Sequence, residues 1–370
     1  MGQRYYGLDF LRAVAMLLGL AVHAPLIYYM PEIANEFTEF GINRQTVPPP
    51  QLWVDLLLAF ITAWRMPVFF ILAGFFAMLV VTRRGIGGFF GDRLIRIGAS
   101  FLVFATLFDL MDGRFDGTLV HLWFLAYLMI FCCVFAIALN HNYIRGLCTR
   151  QLSAGGVIAF AVCLVLLLPL AVVVNGEAVV APEVYSDIQL GSLLYYGGYF
   201  CGGVLLYNNK WLLTYLATTK AISVLTPLAV VFYILSLVVY DQSQTFATSP
   251  LIALLALAAS VVIGLNTVLW CGVMLAVSLR FITSSNRLLG WLVEVSYAIY
   301  LFHVQPVVII SVWLLVGGFS QWSAFVLSAG AGFATSCVLY YGVVKFTPVS
   351  WLLAGYKNSW LQLRFASSRR

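Results

Sequence analysis

Charge is what this sequence has least of. Only 9% of its 370 residues are Asp, Glu, Lys or Arg, whereas an ordinary globular chain carries about a quarter. So few charges cannot cover a water-facing surface, and a hydrophobic content of 62% points the same way. The length alone would suit two soluble domains, but the composition overrides it. Metal-ligand patterns are missing too. There is no H-E-x-x-H, no C-x-x-C and no Cys/His spacing, so no metal site is expected. The seven cysteines (Cys132, Cys133, Cys148, Cys163, Cys201, Cys271 and Cys337) are odd in number and mostly sit inside apolar runs, where they read as small packing residues. A G-x-S-x-G elbow and a phosphate-cradling glycine loop are both absent. The formal charge of +6 is too dispersed for a binding stripe, and no nucleic-acid partner is expected.

What the chain does have is a succession of apolar runs, each near the roughly 20 residues that cross a bilayer. They lie at 8–29, 52–81, 94–110, 119–139, 155–174, 190–207, 221–240, 250–279, 289–316 and 321–344. The runs are continuously apolar and do not alternate, which favours helices over a barrel. The expected fold class is therefore all-α: a polytopic membrane protein, a bundle of about ten transmembrane helices with membrane lipid as its solvent. The first run is not expected to be a cleaved signal, since it carries Asp9 and Arg12 and ends in the bulky Ile27-Tyr28-Tyr29. The eighth run is too short for two spans and a turn. It reads as one long or tilted helix, locally opened at Gly264 and Asn266.

Loop charges give this count an orientation. With ten spans, 16 of the 20 basic residues fall on one face, from Arg4 through Arg93, Arg96 and Arg280 to Arg370. The opposite loops keep Arg44 and Arg114, among carboxylates such as Glu32, Glu36, Asp116, Glu177 and Asp187. The positive-inside rule then places both termini in the cytoplasm. The longest loop on the acidic face, 30–51, contains Pro48-Pro49-Pro50, which favours extended polyproline structure. Such short loops leave no room for a soluble domain, so any site must be built by the helices and their connections.

An ionisable group inside a bilayer costs several kcal/mol unless it is paired or wet, so each one is a candidate for function. The first run has three. Arg12 and His23 are eleven residues apart, about three turns and roughly 20°, and Asp9 falls within about 40° of the His23 direction. All three share one stripe, with Gly19 leaving a gap where a side chain would stand. Arg12 lies near the basic face and His23 near the other, roughly 16 Å along the axis. A neutral imidazole in an apolar setting can take a proton from a hydroxyl. The plainer reading is a packed histidine beside an i,i+3 interface pair.

Arg65 stands near mid-membrane in Trp64-Arg65-Met66-Pro67, where it needs an anion, carbonyls or water; its plainer role is an ion pair with Asp55 or a carboxylate on another helix. Arg93 and Arg96 lie one turn apart at the basic face, as a phosphate-binding pair or as simple positive-inside anchors. His121 and Trp123 lie at the acidic interface, where tryptophan is common as an aromatic belt. The ninth run holds Glu294, Ser296, Tyr297, Tyr300 and His303. Ser296 and His303 share a face with Tyr300 nearby, whereas Glu294 points away from His303.

In these residues the chain resembles the membrane acyltransferase type 3 family. The matching pieces are Leu8-Asp9-Phe10-Leu11-Arg12 with its R-x10-H spacing to His23, Arg65-Met66-Pro67-Val68-Phe69-Phe70-Ile71-Leu72-Ala73-Gly74-Phe75, and Arg93-Leu94-Ile95-Arg96. His121-Leu122-Trp123-Phe124-Leu125 and Ser296-Tyr297-Ala298-Ile299-Tyr300-Leu301-Phe302-His303 complete the set, in family order over nearly the whole chain. Softer similarity, in Met16-Leu17-Leu18-Gly19 and Leu26-Ile27-Tyr28, leans toward the subgroup that succinylates osmoregulated periplasmic glucans. Ala73 replaces the family's usual serine, so no role goes to that hydroxyl, and Gln305 separates His303 from Pro306 where many relatives have proline closer.

The resemblance implies one transmembrane acyltransferase domain over 1–370 in the bacterial inner membrane. It would carry no permanently bound cofactor and would use acyl-CoA, most readily succinyl-CoA, as co-substrate with a periplasmic glucan as acceptor. It also implies roles. His23 deprotonates the acceptor hydroxyl or takes the acyl group, Arg12 positions the donor and Asp9 orients Arg12. Arg93 and Arg96 meet the coenzyme phosphates, and Arg65, with His303, Tyr300 and Ser296, holds the oxyanion or acyl group. His121, Trp123, Glu294 and Tyr297 are acceptor-side or structural candidates. Two rival readings stand beside this one: O-acetylation of another surface polysaccharide or lipopolysaccharide, and a secondary transporter or flippase, since intramembrane charges also mark translocation paths.

Overall fold

The computed structural model of the chain describes residues 5–30, 33, 37–38, 47–113, 117, 119, 121–176, 179, 182, 184, 187–244 and 250–353. Each of the ten apolar runs carries helix. The first holds α1 (Tyr6–His23) and a short α2 (Leu26–Tyr29). Then come α3 (Leu52–Arg93), a π-helical turn (Leu94–Ala99), α4 (Ser100–Asp112), α5 (Trp123–Ala138) and α6 (Asn142–Thr149). The middle of the chain forms α7 (Ala154–Asn175), α8 (Leu190–Asn208), α9 (Lys210–Leu216), α10 (Thr219–Gln244) and α11 (Pro250–Phe281). Last are α12 (Arg287–Phe302), α13 (Val304–Val316), α14 (Gln321–Leu339) with a π-helical turn (Tyr340–Val344), and α15 (Ser350–Leu353). Helix is the form that satisfies every backbone donor inside lipid, and polar caps start several of these runs. The Ser153 hydroxyl accepts from the Gly156 amide at 3.2 Å, and the Asn286 side chain from the Leu289 amide at 2.7 Å.

Among the described residues, six helices are long and apolar enough by length and hydropathy to cross a membrane, or up to eight if each of two bent pairs is one span. The expected ten runs and this tally part in two places. The second and third runs lie in one helical stretch, Leu52–Met111, interrupted at Gly85, whose φ of 72° leaves the right-handed helix. The sixth, α8, is diluted by Tyr195, Tyr196, Tyr199 and its glycines, and falls outside that group. The ninth run is broken: α12 and α13 meet at 67°. The fourth run ends as α5, which meets α6 at 114°. The eighth run is one helix, as expected, but it is not opened at Gly264 or Asn266. Asn266 donates instead to the Ser236 hydroxyl on α10 at 3.2 Å, and Gly264 lets α11 press against the Val165 carbonyl of α7.

At the centre of the bundle, α1 lies against α3, α11, α12, α13 and α14. A second tight crossing joins α3 to α8, where Gly74 and Gly203 face the carbonyls of Phe200 and Ile71 so closely that any side chain would collide. The two ends of the bundle differ in character. At one, the start of α1 packs on the end of α11 through Gly7 and Ser278, near Arg12, Arg93 and Arg96. At the other, Gln321 clasps the entry to α3, its amide donating to the Pro49 carbonyl at 2.8 Å and its oxygen accepting from the Gln51 amide at 2.9 Å. Arg4, Arg44, Arg114, Lys357, Arg364, Arg369 and Arg370, with Glu32, Glu36, Glu39, Asp116, Glu177 and Glu183, entered the charge asymmetry but lie outside the described residues.

Candidate functional site

Prolines near His23, Arg65 and His303 shape the helices that carry them. A proline has no N–H to donate to the carbonyl four residues back, and its ring crowds that carbonyl. Pro306 therefore leaves the Phe302 carbonyl without its helical partner, and the run breaks at His303. Pro25 acts in the same way just beyond His23, where α1 ends. Pro67 follows Arg65 inside α3 without breaking it. His121 stands in the turn that opens α5.

These interruptions bring three imidazoles and a guanidinium together from four parts of the chain. The His23 and His303 rings are 5.0 Å apart, His121 and His303 5.6 Å, and His23 and His121 6.3 Å, centre to centre. His121 and His303 are buried, at 6% and 0% exposure, and His23 is partly exposed. Among the described residues, no group of three or more His, Cys, Asp or Glu is placed to hold a metal ion. Arg65 is 7% exposed; its Nε donates to the Ala15 carbonyl at 2.9 Å, and no carboxylate among the described residues pairs with it. The expected alternative, a pair with Asp55, does not form: Asp55 accepts from the Tyr29 hydroxyl. The gap at Gly19 is filled from across the bundle. A Cβ there would stand 2.8 Å from His303 Nε2 and 2.9 Å from Arg65 Nη2.

The far end of α1 faces a basic opening. Arg12 and Asp9 pair at 3.4 Å, and the Arg12 guanidinium lies 5.2 Å from the Phe76 ring. Two cavities of about 390 and 370 Å³ share Arg12, Phe76, Arg93 and Arg96. The first is charged, with Arg83 and Arg84 added to those three arginines against Asp9 and Asp92. Five guanidinium groups against two carboxylates make it a place for an anion. Asp92 ties Arg84 and Arg96 at 3.2 and 3.4 Å. The π-helical turn after Arg93 is held by Tyr297, whose hydroxyl donates to the Arg96 carbonyl at 2.9 Å.

The second cavity is mostly apolar and runs inward, and neither cavity is lined by a histidine. Its inner wall is Met16, Phe69, Phe124 and Ser296. Each of these sits one helical turn from a member of the cluster: Met16 from Gly19, Phe69 from Arg65, Phe124 from His121 and Ser296 from Tyr300. About one helical turn of sequence therefore separates the cavity lining from the cluster on each of these segments. The Phe69 and Phe124 rings meet at 5.1 Å, and Phe124 lies 6.1 Å from Tyr300.

The ninth run's residues divide between these two places. Tyr300 joins the cluster, its hydroxyl donating to the His121 carbonyl at 2.8 Å. Ser296, Tyr297 and Glu294 line the inner cavity, so Ser296 does not sit beside His303. His303 keeps the α12 register, its N–H bonding the Ile299 carbonyl at 3.1 Å, but it stands two turns, roughly 10 Å, along the helix from Ser296. Glu294 is taken up by the Tyr340 hydroxyl at 2.7 Å and by Lys345 at 2.9 Å. Trp123 packs between Tyr127 and Tyr196, 5.7 and 5.6 Å away. Reading the sequence did not single out Phe124, Arg83 or Arg84; the dibasic pair just before Gly85 was the available sign of the latter two.

Fold and site together describe a polytopic helical membrane protein with ionisable groups gathered inside the bundle and a basic cavity at one end. The chain belongs to the acyltransferase-3 family: the family model described as "Acyltransferase domain" matches residues 5–341. It is a membrane-bound acyltransferase. It is also similar to "Glucans biosynthesis protein C" of Shigella dysenteriae serotype 1 (strain Sd197) and of Escherichia coli O1:K1 / APEC, at 34% identity over 108 residues. That stretch is 29% of this chain and 26% of each relative, so the chain spans about a quarter of the length of these relatives. No solved structure matches the chain.

Proposed function

We propose that the protein moves an acyl group, succinyl, from cytosolic acyl-CoA onto hydroxyls of a periplasmic glucan, acting in the bacterial inner membrane with both termini cytoplasmic. One observation carries this reading. A single helix, α1, holds Arg12 at the mouth of a basic cavity and His23 in a buried cluster toward the other end. The donor's phosphates lie in the outer cavity against Arg93 and Arg96, with Arg12, oriented by Asp9, gripping the arm. The arm extends down the apolar inner cavity, and the thioester passes the wall to reach His23, which takes the proton of the attacking hydroxyl. Arg65 has no carboxylate partner among the described residues, and it faces the carbonyl oxygen as that oxygen becomes negative. The choice of succinyl and of a glucan rests on the partial similarity to glucans biosynthesis protein C alone.

Mass spectrometry of glycans from a deletion strain tests the substrate. Loss of succinyl esters from periplasmic glucans is expected, and restoration by the wild-type chain but not by His23→Ala. Loss of acetyl esters from another polysaccharide would replace donor and acceptor while keeping the reaction class. An unchanged inventory would overturn the acyl-transfer reading, and so would full complementation by His23→Ala for the role of that residue.

A further inference from the structure

Transfer from a thioester to a hydroxyl moves a proton as well as an acyl group. The proton starts on the acceptor side, at the hydroxyl, and is needed on the donor side, at the departing thiolate. In this structure one imidazole lies between the two. His303 sits at the break between α12 and α13, and its Nδ1 is 2.9 Å from the Tyr300 carbonyl. A carbonyl oxygen can only accept, so Nδ1 carries the hydrogen and donates it. This contact favours the tautomer with the hydrogen on Nδ1, in which Nε2 is an acceptor.

Nε2 is buried and, among the described residues, makes no hydrogen bond of ordinary geometry; the Gly19 backbone is its nearest polar neighbour on α1. It lies against Gly19, one turn from His23 on the side of the donor cavity, with Arg65 Nη2 close to the same point. The groups facing it are His23 from α1, Arg65 from α3 and His121 from the turn before α5. None of them is a carboxylate that would hold a permanent charge on the ring.

We propose that His303 Nε2 is the proton relay between the acceptor hydroxyl and the leaving thiolate. The inference rests on the reading of His23 as base and deepens it. The hydroxyl O–H bond breaks and its proton goes to His23 as the oxygen bonds to the thioester carbonyl carbon. His23 passes a proton to His303 Nε2 by a small rotation of rings now 5.0 Å apart. The C–S bond breaks, and Nε2 returns the proton to the thiolate, so both imidazoles end neutral. The Tyr300 carbonyl keeps its Nδ1 hydrogen bond throughout, so the same nitrogen accepts and releases.

The test uses the full-length chain in lipid nanodiscs, with succinyl-CoA and isolated glucan. His303→Gln is expected to lower kcat about 100-fold, within the range for a lost acid–base group, and to leave the KM for the donor within about threefold. His303→Ala should recover at least about tenfold with added imidazole, a response that a merely structural histidine would not give. Turnover of His303→Gln within about threefold of wild type would overturn the relay, and so would a dead His303→Ala that ignores imidazole. If the His303 variants do not purify folded, Gly19→Ala carries the test. Its methyl group crowds both Nε2 and Arg65 Nη2 while every imidazole remains, and normal turnover there would also overturn the proposal. Retained activity in His23→Ala sinks the underlying reading of the site. A dead His23→Ala beside a fully active His303→Gln sinks the relay alone.

Discussion

Arg65 shows how much one side chain can be asked to do. A guanidinium buried in a bilayer protein is held only if its hydrogen bonds are satisfied. Here the Nε donation to the Ala15 carbonyl pins the base of the fork and aims Nη2 past Gly19 toward the imidazoles. A lysine supplies the charge, but as a point at the end of a flexible stem it cannot donate to Ala15 and reach the cluster at once. Arg65→Lys is therefore expected to fold, bind donor and lose about 100-fold in turnover, the lower end of what a lost oxyanion donor costs; unimpaired initial rates would show that the charge alone suffices. The stripe of Asp9, Arg12 and His23 was legible in the sequence because one helix carries all three and 3.6-residue periodicity orders them. The meeting of His23 with His121 and His303 was not, because those residues are about 100 and 280 positions away and only packing brings them together. The same holds for Gly19. A gap could be read from the sequence, but not that His303 and Arg65 fill it.

Among the elements, the bent α12–α13 pair matters most. Interior proline costs a helix about 3 kcal/mol or more, and here the break it causes holds His303 against Gly19. The Pro306 residue was visible in the sequence, but its effect was hidden because an intact apolar run from 289 to 316 looks like one straight span. The 67° bend redirects α13 and leaves His303 in the α12 register, its N–H still bonding the Ile299 carbonyl at 3.1 Å. Pro306→Ala restores the bond to the Phe302 carbonyl and favours straightening. Thermal unfolding in detergent should give a Tm equal to or above wild type, with turnover down about tenfold, a trade of activity for stability seen where a site is held under strain. Activity at the wild-type level would mean that neighbouring helices alone place His303. Uniformly apolar runs with no interior proline, such as α11 and α14, were located from the sequence to within a few residues at most ends. The join of α3 to α4 was harder to foresee, because a π-helical turn leaves no mark in hydropathy.

For the whole molecule, the distribution of groups ties chemistry to sidedness. The basic cavities open at the end where α1 begins and α11 finishes, and His23 lies toward the end where Gln321 clasps Pro49 and Gln51. A one-turn wall of Met16, Phe69, Phe124 and Ser296 separates the two. A transferase that drew on a cytosolic donor for an outer acceptor would need this polarity, with the cations facing the donor's compartment. Orientation is therefore the property on which donor access depends, and it can be measured without any assay of transfer. Ser285 lies exposed in the connection from α11 to α12, and Ser320 lies exposed just before α14, at the opposite end. In a chain whose seven cysteines are replaced by Ala or Ser, single cysteines at these two positions report the two faces. A membrane-impermeant maleimide added to spheroplasts is expected to label Ser320→Cys and leave Ser285→Cys untouched, with the pattern reversed in inverted vesicles. Labelling the other way round would put Arg12, Arg93 and Arg96 outside the cell, away from the coenzyme A pool, and no assignment of the basic cavities to a cytosolic thioester would survive it.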